Sequence, residues 1–329
     1  MYKNKTILIT GGTGSWGQEL TRKLLPYQPK EIRIFSRNEF SQVSMGRTFN
    51  HHSRIKYMIG DVRDFDAVNE ACQHVDYVFH LAALKHVPIC EDYPQEAIKT
   101  NVLGTENIIR ASIIQKVKKV VDVSTDKAVD PINLYGMTKA IGEKLMVRAN
   151  HLSDYTRFVC IRGGNVLGTN GSVVPLFKQQ ILETQEVTLT HKDMTRFFLT
   201  VSEAIDLLLQ ASTAAIGGET FVMKMKACRI TDLADVLGQQ LLNKSIGHKE
   251  VGIRPGEKLH EILISIAESP YTYRFNDQYY VILPSNHSAE LYKKYRSLPQ
   301  VTFQKYQSDD DLMSHEGITN LLKYGGVLD

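Results

Sequence analysis

The feature that most constrains the fold is a short apolar run, Thr6 to Ile9, that leads directly into a turn with three regularly spaced glycines. A strand, a tight glycine turn and a helix in this order bring backbone N–H groups and a helix N-terminus close to a pyrophosphate. Glycine-rich turns also serve packing alone, but a dinucleotide site requires this position between a strand and a helix. We therefore predict a dinucleotide-binding turn formed by Gly11, Thr13, Gly14, Ser15, Trp16 and Gly17.

Further short apolar runs alternate with helix-like segments along the first half of the chain. This alternation is typical of parallel strands joined by crossover helices. We predict an α/β fold, a Rossmann doubly wound parallel sheet with a smaller C-terminal substrate-binding domain. The predicted strands are Thr6 to Ile9, Ile32 to Phe35, Tyr77 to Leu81, Lys119 to Val123 and Phe158 to Ile161, with crossover helices at Gln18 to Leu25 and Glu96 to Gln115.

The rhythm changes after Arg162, where glycines cluster. We assign residues 1–165, plus about 196–218, to the dinucleotide-binding domain, and residues 166–195 and 219–284 to the substrate-binding region. Residues 285–329 are polar and rich in tyrosine and lysine, and predict either a helical appendage or partial disorder.

Charge and composition exclude several other classes of protein. The formal net charge is only +3 and the basic residues are scattered, so nucleic-acid binding is not expected. No apolar stretch approaches the roughly 20 residues that span a bilayer, so no membrane partner is expected. The four cysteines are far apart and form no metal-binding pair, so we expect no metal and free buried thiols. With no signal peptide evident, we expect a cytoplasmic protein.

The ends of the second and third predicted strands bear on cofactor choice. An NAD-selective site usually has an acidic residue after the second strand, whereas this chain has Ser36 and Arg37, which suit a 2′-phosphate. We therefore predict NADP, although Arg37 alone could be a solvated surface arginine. Asp61 and Val62 follow the third strand, where they would meet the adenine edge, although an aspartate at a strand end is on its own more often structural.

Tyr135 and Lys139 are four residues apart, so they share one face of a helix that Asn133 would cap. A tyrosine, whose pKa is usually about 10, is a poor base. The Lys139 ammonium and a positive nicotinamide ring would favour the phenolate. The phenolate can then take a hydroxyl proton while hydride leaves the same carbon.

Asp126 and Lys127 follow the predicted strand that ends at Ser124. Open α/β sheets bind ligands at the carboxyl ends of their strands. An acid and a second amine beside a sugar would allow elimination of water, which a simple dehydrogenase does not need. A surface Asp-Lys pair in a loop is the alternative interpretation.

Six segments together resemble the UDP-N-acetylglucosamine 4,6-dehydratases, in the polysaccharide-capsule and flagellin-glycosylation group of the extended short-chain dehydrogenase/reductase superfamily. The resemblance spans about residues 1–284. The segments are Gly11 to Gly17, His80 to Pro88, Ser124 to Ala128, Gly171 to Phe177, Met194 to Phe198 and Gly252 to Glu261.

The resemblance implies a redox-neutral lyase reaction on a UDP-sugar. Tyr135, with Lys139, would start oxidation at carbon 4. Asp126 would protonate the departing carbon 6 hydroxyl and Lys127 would remove the carbon 5 proton, after which hydride returns to carbon 6. We also expect cofactor contacts at Ala82, Ala83, Tyr135 and Lys139. The resemblance implies substrate contacts at Lys85, Asn165, Val173, Arg196, Arg254 and Glu257.

Two departures from the family pattern fall in the substrate region. Members of the family usually have a tyrosine where this chain has Gly163, and a serine and an arginine where it has Thr169 and Asn170. Inversion and retention at carbon 5 therefore both stay open. A nucleotide-sugar 4-epimerase is the alternative enzyme, although it needs no Asp-Lys pair, and a non-catalytic NADP-binding protein is a third hypothesis. We also expect a homo-oligomer.

Overall fold

The computed structural model describes residues 1–168 and 173–328, and its strands are short and mostly apolar. In chain order they are β1 (Thr6–Thr10), β2 (Glu31–Ser36), β3 (Ile55–Ile59), β4 (Tyr77–His80), β5 (Lys119–Thr125), β6 (Arg157–Gly163), β7 (Asn165–Val166), β8 (Glu186–Leu189), β9 (Thr195–Leu199), β10 (Thr220–Met223), β11 (Lys226–Arg229), β12 (Gly247–Glu250), β13 (Ile262–Ile264), β14 (Thr272–Arg274), β15 (Tyr279–Ile282) and β16 (Tyr306–Gln307).

Nine of these strands form one sheet in the order β14-β15-β10-β6-β5-β4-β1-β2-β3. The strands from β10 to β3 in this order run parallel, and β15 and β14 add an antiparallel edge. The strand order reverses at β1, whose neighbours are β2 and β4, so a ligand crevice lies at the carboxyl ends of β1 and β4. The predicted fold class is confirmed.

Helices cover both faces of the sheet. They are α1 (Ser15–Leu24), α2 (Glu39–Thr48), α3 (Phe65–Ala71), α4 (Val87–Asp92), α5 (Pro94–Ile98), α6 (Gly104–Ile114), α7 (Leu134–Ala149), α8 (Val173–Thr184), α9 (Val201–Ala214), α10 (Ile230–Leu242), α11 (Ala289–Tyr295) and α12 (His315–Tyr324). None of these helices, within the described ranges, has the length and apolar character to cross a bilayer.

The segment predicted as one helix from Glu96 to Gln115 is helical but contains a π-helical turn, Lys99–Leu103, between α5 and α6. Asn101 in this turn is buried. Its side chain accepts from the Leu84 backbone N–H and donates to the Leu84 carbonyl, both at 2.8 Å, and donates to Thr138 of α7 at 3.0 Å. The π turn therefore ties the loop after β4 to α7, a use typical of such turns near functional sites.

The core lies on both faces of the sheet, because alternate residues of the parallel strands point to opposite sides. Ile7 of β1 packs in one buried cluster with Leu208 of α9, and Leu8 packs in another with Ile108 of α6. A third cluster, beyond the sheet, joins α8, α10 and α12.

The two predicted regions interleave along the chain. Strands β10, β14 and β15 lie within residues 219–284, which we assigned to the substrate region, yet they extend the central sheet. The smaller sheets β11-β9-β7, β12-β8 and β13-β16 form the remaining part. The domain boundaries stay a prediction.

The C-terminal segment packs against both parts. Tyr295 of α11 is buried and its hydroxyl donates to Glu219 Oε1 at 2.8 Å. Ile318 and Leu322 of α12 are buried in the third cluster. The described part of residues 285–329 thus contains two helices and one short strand and is integrated into the fold.

Candidate active site

The glycine turn after β1 packs directly on the loop that follows β4. Gly11 has a positive φ of 64°, and a Cβ there would lie 2.9 Å from the backbone of Ala82. A Cβ on Gly17 would lie 2.3 Å from the Gly12 carbonyl oxygen. Gly14 precedes α1 and supplies no side-chain cap, and the first turn of α1 has no acidic residue. The backbone of Gly11, Gly14 and Gly17 thus suits an anion such as a pyrophosphate.

The other residues predicted in this turn lie beside it. Thr13 accepts a hydrogen bond from Gln18 through its backbone carbonyl at 2.9 Å. Ser15 and Trp16 open α1, and Trp16 packs against the core. Ala83 lies, half-buried, in the loop after β4.

Arg37 and Asp61 meet at the carboxyl ends of β2 and β3, where the sequence predicted an adenosine site. The Arg37 guanidinium is about half exposed and lies 3.8 Å from Asp61 Oδ2. Burial alone would raise the pKa of Asp61, but hydrogen bonds from Arg63 outweigh it and the pKa is lowered. Ser36 accepts a hydrogen bond from Gln42 at 3.1 Å, and Val62 is buried.

His80, at the end of β4, is a residue that sequence reasoning gave no role. Its Nδ1 lies 2.8 Å from Thr10 Oγ1 and its Nε2 lies 3.2 Å from Thr105 Oγ1. Burial, with the charge of Lys139, lowers the pKa of His80 to about 3, so the ring is neutral. Thr10 Oγ1 also accepts from the Ala82 N–H at 3.3 Å. His80 therefore holds the ends of β1 and β4 together.

Asn133 caps α7 as predicted, because its side chain accepts from the Gly136 N–H at 2.8 Å. Its amide also donates to the Gly256 carbonyl at 2.8 Å, which ties the helix to the loop of the last family motif. Gly136 lets the helix approach the turn after β5, since a Cβ there would lie 2.1 Å from the Lys127 carbonyl oxygen. This packing brings Tyr135 against the Asp126-Lys127 turn.

Tyr135 lies among charges that sequence reasoning only partly anticipated. Burial raises the pKa of the Tyr135 phenol, while the ammonium groups of Lys139 and Lys127 and a hydrogen bond with Thr125 oppose the rise. Thr125, which sequence reasoning missed, also donates to Asp126 Oδ1 at 2.9 Å. Its hydroxyl directly before the Asp-Lys pair was the available signal.

Asp126 and Lys127 form an ion pair between a fully buried carboxylate and a partly buried ammonium, and not a surface pair. The Lys127 ammonium lies 3.0 Å from Asp126 Oδ1 and donates to Asn165 Oδ1 at 3.2 Å. Asp126 is fully buried. Burial alone would lower the pKa of Lys127, but Asp126 and Glu261 outweigh it and raise the pKa. Lys127 is therefore an ammonium in this structure, and must lose a proton before it can act as a base.

A second set of charges also lies close to Lys127. Glu261 is buried and its Oε1 lies 3.5 Å from the Lys127 ammonium and 3.6 Å from Arg196 Nε. Arg196 is also buried and lies 3.3 Å from Glu257 Oε1. Glu261 received no role from the sequence, because nothing local distinguishes it within the motif that ends there.

Three carboxylates of this cluster each have a buried oxygen without a hydrogen-bond partner in the described structure: Asp126 Oδ2, Glu257 Oε2 and Glu261 Oε2. Buried polar atoms are normally satisfied, so such oxygens indicate donors supplied by a ligand. A polyhydroxylated ligand supplies such donors. The cluster therefore fits a sugar better than an apolar substrate.

The remaining predicted substrate residues are less closely grouped. Burial and the charge of Lys127 lower the pKa of Lys85, on the loop after β4. Arg254 is exposed, and Val173 begins α8. A Cβ on Gly163 would lie 3.2 Å from Met223 Sδ. The Thr169-Asn170 departure and the Gly171-Ser172 part of the predicted motif lie outside the described residues.

The doubly wound sheet, the glycine turn at its switch point and the tyrosine-lysine helix define an enzyme of the short-chain dehydrogenase/reductase type. A family model described as "Polysaccharide biosynthesis protein" matches residues 7–283. The chain belongs to this family.

Relatives of known name support the resemblance drawn from the sequence. A protein of Campylobacter jejuni subsp. jejuni serotype O:2, named UDP-N-acetylglucosamine 4,6-dehydratase (inverting), is 47% identical over 289 residues, 87% of this chain and 84% of that protein. A Rickettsia bellii protein named UDP-glucose 4-epimerase is 46% identical over 274 residues, 82% of this chain and 80% of that protein. The X-ray structure of Pen from Bacillus thuringiensis has a TM-score of 0.90 and 39% identity, covering 98% of this chain and 99% of that one. The predicted resemblance to the 4,6-dehydratases is confirmed.

Proposed function

We propose that this enzyme is an NADP-dependent UDP-N-acetylglucosamine 4,6-dehydratase, a hydro-lyase that forms a UDP-4-keto-6-deoxy-N-acetylhexosamine. The observation that carries the proposal is the packing of the Tyr135 helix against the ion pair of buried Asp126 and partly buried Lys127, which brings the proposed oxidation and elimination groups together. The C. jejuni relative bears the name of this activity.

The residues at the switch point fit a dinucleotide phosphate. The glycine turn has no room for side chains at Gly11 and Gly17. Arg37, which is half exposed at the end of β2 beside Asp61, supports the choice of NADP because an arginine there would pair with a 2′-phosphate. When bound, NADP would supply the hydride acceptor for carbon 4 and the hydride donor for carbon 6. Tyr135 takes the carbon 4 hydroxyl proton, and the Lys139 ammonium favours its phenolate.

The Asp126-Lys127 pair supplies the elimination. Moving one proton across the 3.0 Å contact from Lys127 to Asp126 creates an acid and a base at the same time. Lys127 then takes the carbon 5 proton, and Asp126 gives its proton to the departing carbon 6 hydroxyl, which leaves as water. This elimination itself returns the pair to its ionised form, with Lys127 as the ammonium and Asp126 as the carboxylate. Carbon 5 is then reprotonated as hydride returns to carbon 6, and the proton that Tyr135 took from the carbon 4 hydroxyl balances the one that left in water.

A 4-epimerase is the second candidate, because the R. bellii relative has that name. An epimerase oxidises and reduces carbon 4 and has no use for a buried acid-amine pair. Incubation with UDP-N-acetylglucosamine and NADP separates the hypotheses. The dehydratase gives a 4-keto chromophore, the epimerase gives UDP-N-acetylgalactosamine, and a non-catalytic protein gives neither. Proton NMR of the product in deuterated water identifies the carbon 5 configuration.

We further propose a homo-oligomer in a reducing cytoplasm. Exposed apolar side chains lie on α7, at Met137 and Ile141, on α6, at Ile114, and directly before α6, at Leu103. Helices α6 and α7 pack against each other, and exposed apolar groups on neighbouring helices are common at protein contacts. The four cysteines are buried free thiols, which fits a reducing compartment. Light scattering on the purified protein measures its mass, and the mass of a monomer would contradict the proposed homo-oligomer.

A further inference from the structure

Asp122 is a charged residue in the middle of β5, where the neighbouring positions are valines. It is fully buried and lies in register between His80 of β4 and Cys160 of β6. A buried carboxylate is costly unless it is paired. Both of its oxygens face the Lys139 ammonium, at 3.3 and 3.4 Å.

The groups around this pair are already satisfied or uncharged. His80 is neutral and hydrogen-bonded on both ring nitrogens. Burial keeps the pKa of the Cys160 thiol well above its usual range, so it too is uncharged. Glu143 of α7 is paired with Arg162 at 2.6 Å. Lys139 is therefore the cation with which Asp122 pairs.

We propose that Asp122 is a positioning residue for Lys139. From its place on β5 it holds the Lys139 ammonium beside the Tyr135 phenol. This inference rests on the proposed function, in which Tyr135 is the oxidation base. A lysine has a flexible four-carbon stem, so a carboxylate that faces it with both oxygens restricts where its charge can lie. Because the Asp122 carboxylate lies 3.3 Å from the Lys139 ammonium, its negative charge should also offset part of the effect of Lys139 on Tyr135, where Lys127 and Asp126 act as well.

Asp122→Asn tests the inference because it removes the charge and keeps the shape. Loss of a nearby negative charge favours the phenolate, so the pKa of Tyr135 should fall. The rise of single-turnover hydride transfer with pH should therefore move to lower pH, by about one unit. The maximal rate should also fall, because Lys139 is no longer held. Asp122→Glu should restore the wild-type pH profile.

Glu143→Gln is the matched control. Like Asp122, Glu143 is a buried carboxylate, and it lies on α7 with Lys139, but it pairs with Arg162 and not with Lys139. Its pH profile should stay in the wild-type position. Asp122→Ser is a second neutral variant in case the asparagine variant does not fold. A slower Asp122→Asn enzyme with an unmoved profile would reduce Asp122 to a structural role and overturn the inference.

A second readout does not depend on activity. In protein labelled with ¹³C-lysine, the Lys139 resonance, assigned with Lys139→Arg, reports the titration of its ammonium. Loss of Asp122 should lower the pKa of Lys139 by about one unit or more, because its counter-ion is gone. An unchanged titration would contradict the inference, whereas wild-type protein that never reduces cofactor with UDP-N-acetylglucosamine would contradict the proposed function alone.

Discussion

Arg37 is the residue through which cofactor choice can be tested. Arg37→Asp should weaken NADP binding much more than NAD binding, by roughly 10- to 100-fold, the value of a hydrogen bond to a charged group. Trp16, the single tryptophan, opens the helix after the glycine turn, so its fluorescence reports binding of both dinucleotides. Arg22→Asp, at an exposed arginine of α1, is the control. Equal losses for both cofactors would show that Arg37 is not the selector.

Asp126 can be tested by a change that keeps its size. Asp126→Asn removes the acid, so dehydration should slow by roughly 100- to 10,000-fold while cofactor and UDP-sugar binding stay nearly intact. Product formation and calorimetric binding measure the two effects. Asp130→Asn, at an exposed aspartate nearby in the chain, should turn over normally. Wild-type turnover of Asp126→Asn would remove Asp126 from the mechanism.

Tyr135 and Lys127 should fail at different steps. Tyr135→Phe deletes the phenolic oxygen, so hydride transfer and carbon 5 exchange with solvent should both nearly stop. Lys127→Ala still allows oxidation, so reduced cofactor should accumulate while no water is lost. Absorbance of reduced nicotinamide in single-turnover mixing separates the two variants. Formation of reduced cofactor by Tyr135→Phe at the wild-type rate would mean that another residue is the base.

The ionisation of Lys127 gives carbon 5 exchange with solvent a pH dependence, because exchange needs the neutral amine but not a protonated Asp126. Asp126 and Glu261 raise the pKa of Lys127, so the neutral amine is scarce at neutral pH and becomes more abundant as the pH rises. In the wild-type enzyme, exchange of the carbon 5 hydrogen with deuterated solvent should therefore rise with pH. NMR measures this exchange directly. An exchange rate that falls with pH would argue against Lys127 as the base.

At the scale of the element, one added methyl group can disturb the packing of α7 against the turn after β5. Gly136→Ala would put a Cβ 2.1 Å from the Lys127 carbonyl oxygen, so the helix has to shift. We expect a loss of roughly 1–3 kcal/mol in the free energy of unfolding and a larger loss of dehydratase activity.

Gly142→Ala is the matched control on the same helix, because the nearest atom to its Cβ is 3.5 Å away. It should be neutral or stabilising by up to about 1 kcal/mol, as alanine is the better helix former. Thermal unfolding and product formation measure both variants. If Gly136→Ala and Gly142→Ala behave alike, the close contact does not position the helix.

At the scale of the whole molecule, the sequence predicted what is local. The strand-turn-helix at Gly11, the cap at Asn133 and the spacing of Tyr135 and Lys139 depend on a few neighbouring residues, and all three have the predicted local structure. Asp122 was missed because its partner, Lys139, is 17 residues away along the chain. Glu261 was missed because its partner, Lys127, belongs to a distant segment. Tertiary contacts of this kind leave no periodic signal.

The antiparallel edge was missed for a related reason. Strands β14 and β15 pair with β10 at the far side of the sheet, and their short sequences carry no mark of which strand they will join. The predicted assignment already interleaves the two regions by placing 196–218 with the first, and it stays a prediction. Because β10, β14 and β15 lie within 219–284 and extend the central sheet, chain order alone does not separate the two regions.

Interleaving also fixes the order in which a growing chain can complete its fold. Strands β1 to β6 are adjacent in the sheet and all lie before residue 164, so a ribosome releases them together and early. Chains commonly begin to fold from the N-terminus during synthesis. The β10-β15-β14 edge and the buried Arg196 and Glu261 come later. The dinucleotide turn thus exists before the sugar side, and a dinucleotide captured at that stage would stabilise the nascent half by mass action.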